Sequence, residues 1–169
     1  MTVTLRAQET TDLEFLHSLF SDPEVVLYWF VEPYVTRADF EARFEARRGD
    51  PTARRFIIDD DGEAVGIVEL VDIRRIHRNC EFQIIVAPGR QGHGYAQTAT
   101  TLVLDYAFNT LNLHKVYLQV DDENKGAIHV YSKCGFHVEG HQKDEFWVDG
   151  AYHDVTRMAV FADDPRPGV

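Results

Sequence analysis

An apolar run, Phe82 Gln83 Ile84 Ile85 Val86, leads through a Pro-Gly break into Gln91 Gly92 His93 Gly94 Tyr95 Ala96 and then into an amphipathic stretch over 95–111. This order of strand, glycine turn and helix confines the chain to α/β arrangements in which the helix packs back on the sheet. The turn carries a chemical consequence as well. A helix opened by glycines leaves its first backbone N–H groups and a partial positive charge aimed at one point, which suits a pyrophosphate. Two common nucleotide motifs do not fit. No Gly-Lys-Ser/Thr ending follows the turn, and a dinucleotide fingerprint would place glycine where Gln97 stands.

The remaining elements follow from periodicity. Val3–Ala7 alternates as a first strand, and Thr10 or Thr11 is expected to cap a helix carrying Leu13, Leu16, Leu19 and Phe20. Pro23 and Pro33 bracket the aromatic segment Tyr28 Trp29 Phe30, which is too broken for a long helix and is expected to fold over the active site. Thr36 or Asp39 starts a second helix with Phe40 and Phe44, stopped by Gly49 Asp50 Pro51. Strands are expected at 55–58 and 63–71 around an Asp-Gly turn, and again at 81–87. The helix at 95–111 places Ala99, Leu102, Val103, Tyr106 and Leu111 toward the sheet. A strand over 115–120, a helix over 123–133 ended by Gly135, and a last hairpin turning at Asp149 Gly150 complete the chain.

A chain of 169 residues with 44% hydrophobic content is sufficient for one core. A single domain over 1–162 is expected, with a loose tail at 163–169. No apolar run approaches the ~20 residues of a membrane span, and the N-terminus lacks a basic-then-apolar leader, so a cytoplasmic protein with no membrane partner is expected. Cys80 and Cys134 are far apart and read as reduced structural thiols. The net charge of −11 opposes a nucleic-acid partner and is compatible with a cationic one.

A second segment makes the reading specific: Asn124 Lys125 Gly126 Ala127 Ile128 His129 Val130 Tyr131 Ser132 Lys133 Cys134 Gly135 Phe136. Together with the turn at 91–96, its pattern N-x-x-A-x-x-x-Y-x-K-x-G-F resembles the GNAT superfamily of acetyl-CoA-dependent N-acetyltransferases over nearly the whole chain. Residues 28–34, 69–77, 81–86 and 111–117 look closest to bacterial spermidine/spermine N-acetyltransferases. The resemblance implies a mixed, mostly antiparallel sheet of about six to seven strands flanked by helices and splayed where acetyl-CoA binds. It also implies that the pantetheine arm pairs with Ile84, Ile85 and Val86. The pyrophosphate would lie on Gln91, Gly92, His93, Gly94, Tyr95, Ala96 and Gln97, with Arg90 able to assist, and Asn124, Ala127 and Lys133 would complete the coenzyme site.

The same resemblance implies that a backbone N–H of that strand holds the thioester oxygen and that Tyr131 protonates the departing thiolate. An alkyl ammonium, with a pKa near ~10, must lose a proton before attack, which calls for a carboxylate. Glu81 is the first choice and Glu32 the second. Polyamines carry charges separated by methylenes, so their site should alternate acids with apolar walls. Tyr28 offers a wall, and Glu32, Asp39, Asp50, Asp72 and Glu81 offer charge. Val31, Arg47 and Arg48 depart from the polyamine pattern, because two arginines repel a polycation. Those departures bear on the family's allosteric polyamine site and the dodecamer that accompanies it. A homo-oligomer is nevertheless expected, with acetyl-CoA as co-substrate. No metal is expected to be required, because the histidines are dispersed. A protein N-terminal acetyltransferase of the ribosomal-protein type, an antibiotic amine acetyltransferase and a non-catalytic CoA sensor are the alternative readings.

Overall fold

The computed structural model describes residues 2–29 and 34–166. Seven strands form one open sheet: β1 Val3–Ala7, β2 Arg54–Asp60, β3 Glu63–Arg74, β4 Asn79–Val86, β5 Lys115–Asp121, β6 His137–Val148 and β7 Ala151–Phe161. Their spatial order is β1-β2-β3-β4-β5-β7-β6. Every pairing is antiparallel except β4 with β5. Among the described residues five α-helices flank the sheet: α1 Leu13–Ser21, α2 Pro23–Val26, α3 Arg37–Ala46, α4 Tyr95–Asp105 and α5 Lys125–Lys133. This is the splayed, mostly antiparallel α/β arrangement expected. None of the described helices is long and apolar enough to cross a membrane.

The period of two along each strand divides the core between the two faces. Ile58, Val68, Leu70, Phe82, Val116, Leu118 and Met158 pack against Ala99, Val103, Leu104 and Ala107 of α4 and its extension. Ile57, Ile67 and Ile85 face the other way, against Leu16 and Leu19 of α1 and Phe40 and Phe44 of α3. Burial of such side chains contributes roughly 1.5–3 kcal/mol each. Gly66 of β3 is dictated by packing, since a Cβ there would lie 2.3 Å from the Ile85 carbonyl oxygen.

Local chemistry sets the element ends, with some shifts from expectation. A short 3-10 turn, Thr10–Asp12, precedes α1, so neither threonine caps the helix. Asp12 instead accepts the Glu9 N–H at 2.8 Å and a two-pronged contact from Arg6. The second helix is capped as expected, Thr36 accepting from the Asp39 N–H. Helix α4 ends in a widened π turn over Tyr106–Thr110. Its buried stripe runs through Ala99, Val103, Leu104 and Ala107, while Leu102 and Tyr106 are only half-buried. The hairpin turns Asp61 Gly62 and Asp149 Gly150 hold both residues at positive φ, as the right-handed twist of the flanking strands requires. Residues 163–166, expected to be loose, are tied down: Arg166 pairs with Asp105 at 2.7 Å and covers the Phe108 ring. Cys80 and Cys134 are buried free thiols, and burial pushes the Cys80 thiol up to about 12.

Candidate active site

The one parallel contact in the sheet is also its shortest. β4 and β5 pair only from Asn79 to Glu81 against Lys115 to Tyr117. Beyond that fork β4 continues through Phe82 to Val86, while β5 stays with β7 along its whole length to Asp121. A wedge-shaped slot therefore opens between them, lined by strand backbone that has no sheet partner across it. Buried backbone groups require partners, and an extended ligand bearing amides can supply them as an added strand would. Trp29 caps one of these groups, its indole N–H donating to the Ile84 carbonyl at 3.3 Å. The aromatic segment thus does reach the slot, although its Phe30, Val31, Glu32 and Pro33 lie outside the described residues.

At the open end of the slot stands the glycine turn. Gly92 and Gly94 have φ of 79° and 83°, and Gly94 is the N-cap of α4 with no side-chain capping bond. The first N–H groups of α4 are consequently left to an anion. His93 folds back over the turn, its Nδ1 lying 2.8 Å from the Gln91 carbonyl, so Nε2 is the free ring nitrogen. Gln91, Gln97 and the two glycines are exposed, and Ala96 is half-buried. Tyr95 differs: its ring is buried and its hydroxyl donates to Asp60 at 2.6 Å, so only its backbone faces the anion position. Arg90 is engaged by Glu63.

Helix α5 closes the slot from the α4 side. Asn124 caps it by accepting the Ala127 N–H at 3.1 Å, which commits its carbonyl oxygen and leaves its amide N–H₂ to a ligand. Ala127 packs partly into the core. Tyr131 meets the Phe82 ring edge-on at 5.8 Å and the Phe136 ring at 6.0 Å. Its hydroxyl makes no hydrogen bond among the described residues, and burial, with Cys134 adding, pushes the phenol up. Lys133 is exposed in the last turn of the helix.

Glu81 occupies the fork itself, opposite Val71 and Tyr117, and accepts from Gln83 at 3.1 Å. Asp72 approaches the Tyr117 hydroxyl at 3.4 Å and Arg74 donates to it at 3.1 Å. Arg157 lies 3.9 Å from the centre of the Tyr117 ring. Of the other nominated acids within the described residues, Asp39 and Asp50 do not join this group. Asp39 bonds Thr36 at the start of α3, and Asp50 is held by Thr52 and kept below the usual carboxylate range by those bonds. Tyr28 is half exposed.

On the α1 and α3 side the sheet forms the floor of a cleft of ≈ 740 Å³ that runs from Tyr34 to Gln83. Arg43, Arg47, Arg48 and Arg55 line it, against only Asp39 and Glu69 among the described acids. Two features here escaped the sequence reading. Glu69 is 5% exposed, and burial pushes its carboxyl up. Its signal was a single charge inside the apolar run of β3. The second is Asp121, Glu123 and His153, whose ligand atoms lie within 4.8 Å of one another. His153 Nδ1 stands 2.5 Å from Asp121 Oδ2. Such a group of carboxylates and imidazole could hold a metal ion, so dispersal of the histidines along the sequence is no argument against one. The β5–β7 pairing brings the two ends together.

Comparison with known proteins agrees with this geometry. The Acetyltransferase (GNAT) domain matches residues 2–137. The spermidine N(1)-acetyltransferase of Vibrio cholerae is 46% identical over 159 residues, covering 94% of this chain and 92% of that protein. The Escherichia coli K12 enzyme of the same name is 45% identical, covering 94% and 86%. The crystal structure of the Vibrio cholerae enzyme in complex with CoA and spermine superposes with a TM-score of 0.92 at 45% identity, covering 95% of each chain. Other structures of that enzyme are a complex with manganese ions and a dodecamer in an intermediate state. With that family model over most of its length and relatives 45–46% identical over 94% of it, the chain belongs to the GNAT acetyltransferase family.

Proposed function

We propose that this chain transfers the acetyl group of acetyl-CoA to a primary amine of a polyamine such as spermidine or spermine, by direct attack of the neutral amine on the thioester. The observation that carries the reading is the break in β4–β5 pairing after Glu81 and Tyr117, with the uncapped glycine turn at its open end. Pantetheine amides pair with Ile84, Ile85 and Val86. The pyrophosphate lies on the N–H groups of residues 92–97, and Asn124 donates its side-chain amide to the arm. A β4 backbone N–H directed at the thioester oxygen contributes ~3 kcal/mol as that oxygen becomes an oxyanion.

Tyr131, with an uncommitted hydroxyl on the α5 side of the slot, donates its proton to the leaving thiolate. Glu81 at the fork and Glu32 are the carboxylates nominated by the sequence for the amine's proton. Aromatic walls from Tyr28 and Trp29 and the carboxylates Asp39, on the cleft wall, and Asp72, beside the fork, serve the rest of the polyamine, whereas Asp50 is tied to Thr52 outside the cleft lining. The chain assembles as a homo-oligomer, as the dodecameric Vibrio cholerae relative does. Its domain spans 1–162 and works in the cytoplasm, and the chemistry needs no metal in the transfer step.

The arginines lining the cleft favour a second reading, in which the acceptor is an amine of lower positive charge. Release of free thiol from acetyl-CoA, measured across polyamines, aminoglycosides and N-terminal peptides, tests both. Turnover led by spermidine or spermine supports the proposal. Turnover led by a singly charged amine or a peptide supports the alternative, and acetyl-CoA binding without transfer to any member refutes both.

A further inference from the structure

The acceptor cleft contains one deeply buried ionisable side chain, and the sequence did not nominate it. Glu69 sits opposite Gln83 in the β3–β4 ladder and shares the cleft floor with Gln8, Arg55 and Gln83. The charges of Arg55 and Arg47, together with Gln8 on the same floor, oppose the effect of burial on its carboxyl, but the ion pairing is loose. The one ion pair it makes among the described residues has Arg55 Nε standing 3.4 Å from Oε1. That Nε is itself buried without a hydrogen-bond acceptor, and Asp50 draws the far end of the same guanidinium at 3.7 Å. A buried carboxylate so imperfectly matched gains from a further donor, and the open side from which one can come is the cleft. Glu81, by contrast, does not line the cleft and already holds Gln83.

We propose that Glu69 receives the acceptor ammonium in this cleft and takes its proton before attack, an inference that rests on the acetyl-transfer reading above. An ammonium N–H bond breaks and the Glu69 O–H bond forms. The freed nitrogen lone pair then bonds to the thioester carbonyl carbon. As the tetrahedral adduct collapses, the C–S pair leaves on sulfur, which takes the Tyr131 proton. The nitrogen's second proton restores the phenol, and Glu69 returns its own to solvent through the cleft. One proton is released per turnover. Burial, which favours the neutral acid, sets Glu69 nearer than an exposed glutamate to the amine it must deprotonate.

The test compares Glu69→Gln with the parent, using the best amine of the panel between pH 7 and 10. At neutral pH the variant should lose about 100-fold in kcat with the KM for acetyl-CoA kept within about threefold. The deficit should shrink toward pH 10, where the amine sheds its proton unaided. A deficit constant with pH, or turnover within threefold of the parent, overturns the proposal. Carboxyl carbon NMR of the glutamate-labelled parent provides the second arm and needs no folded variant. A glutamate titrating above the usual range and shifting when spermidine is added supports the assignment; no such resonance overturns it. If the parent acetylates no amine, the acetyl-transfer reading has failed, and the NMR arm still reports whether Glu69 meets an ammonium.

Discussion

Replacing Tyr131 with Phe removes one oxygen and leaves the packing in place. The ring meets Phe82 edge-on at 5.8 Å and Phe136 at a tilt at 6.0 Å, and the hydroxyl has no hydrogen bond among the described residues to lose. Folding stability should therefore stay within about 0.5 kcal/mol of the parent, or rise slightly, because an unpaired polar group leaves a buried site. Catalysis should respond differently. Burial raises the phenol's pKa, so it remains protonated across any assay between pH 6 and 10, and its proton is available when the thiolate departs. Loss of a positioned general acid lowers kcat by about 10²–10³-fold, equivalent to roughly 3–4 kcal/mol of transition-state stabilisation. The KM for acetyl-CoA should move less than about threefold, because the proposed coenzyme contacts run along the backbone of β4 and the glycine turn. Thiol release gives kcat and KM, and thermal melting gives stability. A variant as active as the parent refutes the assignment, and one that loses activity and melting temperature together refutes the separation of roles.

Three other predictions follow from packing and charge. Gly66→Ala would bring a Cβ to 2.3 Å from the Ile85 carbonyl, forcing β3 and β4 apart. A loss of about 2–3 kcal/mol in urea unfolding is expected, and an unchanged midpoint would show that the ladder absorbs the methyl. Gly94→Ala meets no neighbour but imposes φ of 83° on an alanine. About 1–2 kcal/mol of strain is expected, together with weaker CoA binding by calorimetry; equal affinity would remove the turn from the coenzyme site. Asp12 is held below the usual carboxylate range by its Arg6 contact first and the Glu9 N–H besides. A depressed folded pKa means that this stabilisation is complete above the unfolded value near ~4 and fades as pH falls through the folded one. Asp12→Asn should therefore reduce stability at pH 7 and flatten its decline below pH 4, and parallel acid-unfolding curves would contradict this.

Much of the molecule was legible from pattern alone because the signals were local. Strand period, the Asp-Gly turns, the Thr36 cap and the glycine turn each depend on residues within a few positions of one another. Boundaries moved where tertiary contacts overrode propensity. Asp12, drawn to Arg6, displaced Thr10 and Thr11 as the start of α1. Arg166, drawn to Asp105 and Phe108, tied down a tail whose composition reads as loose.

The proposed coenzyme half of the site was legible in the sequence, since residues 91–97 and 124–133 are two contiguous segments. The grouping of the charges that the sequence did not nominate was decided by the sheet. Only the register of β3 on β4 sets Glu69 opposite Gln83 beneath α1 and α3, and only the pairing of β5 with β7 brings Asp121 to His153. Burial turns Glu69 from one charge in a strand into the best-placed carboxylate of the cleft. Burial is a property of what packs above a residue, and no local pattern carries it.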